Sequence, residues 1–135
     1  MPVLTITAKS PYAVSALAEL ARSGASKPVP IGELARRRDI PVQFLEGLFA
    51  TLRRAGMLQS QRGVKGGYSF ARPPAEITVL EVVELLEGEL GAEAPASGPI
   101  WVDAVEAVRT ALGGVTIADV AEREARQAGA QMYQI

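Results

Sequence analysis

Apolar positions follow helical spacing three times in the first half of this chain, break at a glycine-rich stretch, and then resume helical spacing. Tyr12, Ala13, Ala16, Leu17, Leu20 and Ala21 predict a helix over about residues 10–23, with Ser10 as N-cap and Pro11 at the first helical position. Ser23-Gly24 and the run Lys27-Pro28-Val29-Pro30 end it. A short helix over Ile31–Arg38 turns Leu34 and Ala35 inward, and a third from Pro41 to Ala55 carries the stripe Leu45, Leu48, Phe49, Leu52. Gly56 is the expected stop. Met57–Arg62 and Tyr68–Arg72 read as short strands joined by the turn Gly63-Val64-Lys65-Gly66-Gly67.

Thr78 and Glu81 form a capping-box pair ahead of Val79, Val82, Val83 and Leu86. Residues 88–99 are small, polar and rich in breakers, which predicts a mobile loop. Trp101, Val105, Val108 and Leu112 then share one face of a helix over about 100–112, stopped by Gly113-Gly114. Thr116 and Asp119 cap a final helix with Ile117, Val120 and Ala121. The expected fold class is mainly α with a small β-hairpin. The expected units are residues 1–75, a connecting helix and loop over 76–99, and two C-terminal helices over 100–135.

Composition narrows the chemistry. The 135 residues are 48% apolar, enough for a real core and too apolar for disorder. No apolar run reaches membrane-spanning length, and residues 1–10 lack the pattern of a secretory signal, so a cytoplasmic location is the expectation. The sequence has no cysteine and no histidine. Disulfides, thiolate-held metals and the commonest general base are thereby excluded, and no metal site or cofactor is expected. Asp and Glu remain as acid and base, but no pair marks a substrate pocket, so an enzyme is not expected.

Net charge is −1, yet residues 1–72 carry 11 Lys+Arg against 4 Asp+Glu, while residues 73–135 carry 3 against 11. A basic half and an acidic half suit a chain that turns one side to a polyanion, although two ordinary surfaces of opposite sign give the same totals.

Residues 31–55 fit a helix-turn-helix. Ala35 is small where the helices must touch, Asp39 tolerates left-handed backbone in the turn, and Ile40, Leu45 and Leu48 face inward. A plain helical hairpin fits them too. The hairpin that follows favours the first reading, because a basic, glycine-rich tip after a recognition helix is a wing able to enter a minor groove. Arg62 and Lys65 supply the charge, while Gly63, Gly66 and Gly67 allow close backbone approach. A phosphate-binding nucleotide loop is excluded, since its spacing and its strand–turn–helix order are both absent.

The ordered series Ser10-Pro11-Tyr12-Ala13-Val14, Ile40-Pro41-Val42-Gln43-Phe44-Leu45-Glu46, Leu52-Arg53-Arg54-Ala55-Gly56-Met57-Leu58, Arg62-Gly63-Val64-Lys65-Gly66-Gly67-Tyr68 and Ile77-Thr78-Val79-Leu80-Glu81-Val82 resembles the Rrf2 family of winged-helix regulators. The resemblance implies a homodimer on a pseudo-palindromic operator in double-stranded DNA, acting as a repressor. Dimerisation would use the 100–112 helix, with Trp101, Val105, Val108 and Leu112 toward the partner and toward the chain's own first helix. By the same resemblance Gln43, Phe44 and Glu46 open the recognition helix. Gln43 would pair with adenine and Glu46 with cytosine N4, while Phe44 either meets a thymine methyl or belongs to the core. Arg53 and Arg54, and the run Arg36, Arg37, Arg38, would meet phosphates. Arg62, Gly63, Lys65, Gly66, Gly67 and Tyr68 would form the wing contact.

Two departures from that family pattern stand out. Sensor members hold an iron–sulfur cluster through three cysteines in the loop that corresponds to 88–99, and here no cysteine exists, so no cluster is expected. Ser10-Pro11 also stands before Tyr12 where relatives commonly carry a basic residue, which removes one expected phosphate contact. The signal stays open: a small molecule, a protein docking on the acidic half, or none. The competing function is a winged-helix adaptor that docks protein and does not read DNA.

Overall fold

A computed structural model describes residues 2–24 and 27–132. Helices α1 (Lys9–Arg22), α2 (Ile31–Arg38) and α3 (Val42–Arg54) lead into the antiparallel strands β1 (Leu58–Gln61) and β2 (Gly67–Phe70). A 3₁₀ turn (Pro74–Glu76) precedes α4 (Val79–Glu87), the single turn α5 (Ala94–Ser97), α6 (Pro99–Gly113) and α7 (Ile117–Met132).

The inward stripes meet where the periodicity puts them. Leu17, Leu34, Leu45, Phe49, Leu52, Leu58, Ile77, Val82 and Ile117 are fully buried in one cluster. That cluster draws on α1, α2, α3, β1, α4 and the start of α7, so the helix pair and the hairpin share a core with the later helices. The starts of α4 and α7 are stitched together: Val79 N–H donates to the Val115 carbonyl and Ile117 N–H to the Ile77 carbonyl, each at 2.9 Å. Thr116 and Asp119 form a complete capping box, with reciprocal bonds of 2.9 and 3.0 Å. Thr78 caps Glu81 N–H at 3.1 Å, but the Glu81 carboxylate turns away to Arg72.

Three expectations need correction. Helix α1 begins at Lys9, with Ala8 at the cap position, so Ser10 is not the N-cap. Its buried hydroxyl instead donates to Glu87 at 2.7 Å, and the same carboxylate accepts from Thr7 N–H at 2.9 Å. A carboxylate from α4 therefore serves the positive end of α1, and Pro11, third in the helix, lacks only an N–H that needs no intrahelical partner.

Residues 88–99 are not an open loop. Leu90 and Ala94 are buried, Leu90 N–H donates to Glu84 at 2.9 Å, and Arg109 of α6 pairs with the same carboxylate. Gly91, at φ 79°, lies where a β-carbon would collide with Val105. Its glycine is thus demanded by packing, a reason the breaker-rich composition hides. Finally, α7 does not stand apart with α6, because it packs along α1.

Candidate nucleic-acid interface

The turn between α2 and α3 is built by local chemistry. Asp39 is at φ 54°, ψ 50°, the one non-glycine among the described residues with positive φ. Around it Ile40 N–H returns to the Ala35 carbonyl at 2.9 Å and Asp39 N–H to the Arg36 carbonyl at 3.4 Å. This is the Schellman arrangement, and its usual apolar contact is supplied by Ala35 and Ile40, both buried. Pro41 cannot continue α2 and instead leads into α3, and the two helices cross in contact with the buried Ala35 on α2.

That crossing leaves one side of α3 uncovered. Gln43, Glu46, Gly47 and Arg54 are exposed and Ala50 half-buried, recurring every three or four residues opposite Leu45, Leu48, Phe49 and Leu52. Phe44 is 37% exposed and packs edge-on against Tyr12, with ring centroids 5.6 Å apart. Its ring belongs to the α1–α3 contact as much as to the surface.

Two of the wing's glycines are required by close backbone contacts, Gly67 against the body and Gly66 within the hairpin. A β-carbon on Gly67 would lie 2.3 Å from the Val29 carbonyl carbon, and one on Gly66 would lie 2.2 Å from the Gln61 carbonyl oxygen. Tyr68 exchanges two backbone bonds of 2.9 Å with Val29, and its ring meets Phe49 edge-on at 5.1 Å. Gly66, Gly67 and Tyr68, expected as wing contacts, therefore turn to the chain itself. Arg62, Gly63, Val64 and Lys65 form the exposed tip, and at Gly63 a β-carbon would meet nothing within 4 Å.

The cations divide in the same way. Arg38, expected to reach outward, is bidentate to Glu124 of α7 at 2.7 and 3.0 Å and donates to Glu19 of α1 at 2.9 Å. The Glu124 hydrogen bonds hold the Arg38 guanidinium above its ordinary pKa against the opposing effect of burial, and they hold the Glu124 carboxyl below its own. Arg37 pairs with Glu33 at 2.6 Å and Glu19 at 3.2 Å. These two arginines tie α2 to α1 and α7. Arg36 stays exposed, with Glu33 no nearer than 3.8 Å. Among the described residues no acid lies within ion-pair distance of Arg53, Arg54, Arg62 or Lys65. The sequence pattern could not separate inward from outward arginines, because their partners Glu19 and Glu124 lie 19 and 86 positions from Arg38.

On α6, Val105 is 6% exposed, and Val108 and Leu112 are half-buried against the chain's own core. Only Trp101 of that expected stripe, at 48%, is open. The uncovered apolar row is a neighbouring one: Ile100, Ala104, Ala107 and Ala111, all exposed and spaced by four, three and four. That spacing was visible in the sequence, but alanine gave it a weak apolar signal beside the valines.

Residues 6–123 match the Rrf2 family model, described as an iron-dependent transcriptional regulator. A Mycobacterium tuberculosis protein named as an HTH-type transcriptional regulator is 34% identical, covering 87% of this chain and 81% of its own length. The regulator CymR of Bacillus subtilis is 29% identical over 98% of this chain and its whole length. Among solved structures, B. subtilis CymR, titled the global cysteine regulator, superposes with a TM-score of 0.79 at 31% identity, covering 89% of this chain and 98% of that one. IscR of T. potens follows at 0.77 and 32%, covering 93% and 90%. The iron in the family description finds no donor set here. Cysteine and histidine are absent from the sequence, and the described residues hold no group of three ligating side chains.

Proposed function

The chain belongs to the Rrf2 family of winged helix-turn-helix transcriptional regulators, and we propose that it binds a pseudo-palindromic operator as a homodimeric repressor without an iron–sulfur cluster. The observation that carries this reading is the uncovered row of α3, Gln43, Glu46, Gly47, Ala50 and Arg54, together with the exposed tip cations Arg62 and Lys65, which have no ion-pair partner among the described residues. A helix with a small-residue notch at Gly47 suits close approach to a groove floor. Gln43 is an adenine reader and Glu46 an acceptor for cytosine N4, while Arg53, Arg54 and Arg36 meet phosphates. Arg62 and Lys65 enter the minor groove. Arg37, Arg38, Gly66, Gly67 and Tyr68 hold these groups in place.

The row Ile100, Ala104, Ala107, Ala111, with Trp101 at its border, supports the homodimer, because small residues let two helices cross closely. One experiment tests the operator and the dimer together. Genomic fragments selected by the protein are footprinted and their complexes weighed. The expected result is two protomers on one palindrome, with half-sites about 10 bp apart or a multiple of that. A single protomer on an asymmetric site overturns the dimer, and Glu46→Ala should change which fragments are selected more than how tightly they bind.

A further inference from the structure

The cation best placed to add to the contact made by α3 lies outside the helix-turn-helix. Lys9 opens α1 and is exposed. It lines a cleft of about 320 Å³ together with Gln43, Gly47 and Thr51 of α3 and Leu85 of α4. Gln43 and Gly47 belong to the uncovered row, so the lysine borders that row along its edge.

Its position is not explained by the stability of α1. A cation in the first turn faces the positive end of the helix, which works against the fold. The carboxylate that does serve that end, Glu87, is taken by Thr7 and Ser10. No ion pair joins Lys9 to any described acid. An ammonium group is thus kept without an ion pair among the described residues beside the recognition row, while Arg37 and Arg38, two of the charges that the sequence offered for this face, are engaged inside the chain.

We infer that Lys9 binds a backbone phosphate of the DNA strand that borders α3, a contact that adds affinity without reading sequence. The inference rests on the DNA-binding reading above. A compact charge on a flexible stem suits a phosphate and not a base edge.

The test titrates wild type, Lys9→Gln, Lys9→Arg and, as a control whose charge is paired with Glu122 on α7, Arg126→Gln against the selected operator and a scrambled duplex over a range of salt. Lys9→Gln removes one contact from each protomer of the dimer and should lower the slope of log affinity against log salt by about 2 on both duplexes. Its deficit should widen about 12-fold as salt falls from roughly 200 to 50 mM. Lys9→Arg and Arg126→Gln should keep the wild-type slope. If wild type binds and Lys9→Gln runs parallel to it, the Lys9 assignment is overturned and the DNA-binding reading stands. If wild type shows no salt-dependent binding to either duplex, both fall.

Discussion

Removing the Arg38 guanidinium should cost stability and leave the electrostatics of DNA binding unchanged. Arg38 makes three charge-assisted bonds of 2.7 to 3.0 Å to Glu124 and Glu19, and the side chains are 16%, 29% and 20% exposed. Breaking a fully buried pair costs about 3–5 kcal/mol, and breaking an exposed one about 0–1 kcal/mol. The exposure here lies between those limits. Arg38→Gln should therefore destabilise by about 2–3 kcal/mol, with about 1–2 kcal/mol of coupling to Glu124. The assay is urea denaturation at fixed protein concentration of wild type, Arg38→Gln, Glu124→Gln and the double variant. The double variant should lose less than the two singles together. On DNA, Arg38→Gln should retain the wild-type salt slope, since its charge faces carboxylates. A coupling within about 0.3–0.5 kcal/mol of zero refutes the internal network. A salt slope lower by about 2, one contact from each protomer, refutes the assignment from the other side, because it makes Arg38 a phosphate contact.

Gly67→Ala should destabilise by about 3 kcal/mol or more, read as a fall in thermal midpoint, because its β-carbon would strike the Val29 backbone at 2.3 Å. Gly47→Ala should raise stability by about 0.5–1 kcal/mol, since an added methyl there meets nothing within 4 Å. Burial alone would raise the Glu87 pKa, but hydrogen bonds from Ser10 and Thr7 outweigh it and hold the carboxyl below its ordinary value. Its contribution is therefore full above the unfolded value of about 4.3 and is lost as pH falls through the lower folded value. Glu87→Gln should lower the thermal midpoint at neutral pH and flatten its acid-side decline, and an unchanged midpoint at neutral pH contradicts the role given to Glu87. Protein purified without oxygen should carry no iron or sulfide above background by elemental and sulfide analysis, and a stoichiometric cluster overturns that expectation.

Where structure depends on neighbours in sequence, the chain was readable. The Asp39 turn, the apolar stripe of α3 and the Thr116–Asp119 cap follow from spacings of one to four residues. Long-range contacts were not readable. Nothing in the run Arg36-Arg37-Arg38 says that its last two members face Glu19, Glu33 and Glu124, and nothing near Gly67 announces Val29 across the sheet edge. The glycines of the wing illustrate the difference. Composition rightly gave a tight turn, but backbone contact within the chain, and not an approaching ligand, requires two of the three. Residues 88–99 misled for a related reason: small residues there permit Leu90 and Ala94 to be buried beneath α6, whereas the same composition in isolation suits an open loop. On α6, the valines with the clearest apolar period face the core, which left the alanine row unnoticed.

The central claim is that α3 and the wing read a DNA sequence rather than merely attract a polyanion. The most direct test is the ratio of affinities for the selected operator and a scrambled duplex of equal length and composition, measured at about 0.15 M salt. Specific binding of this kind predicts a ratio on the order of 10³ or more, falling when Gln43 or Glu46 is replaced. A ratio near 1, with both duplexes bound and both released alike by salt, would contradict the account.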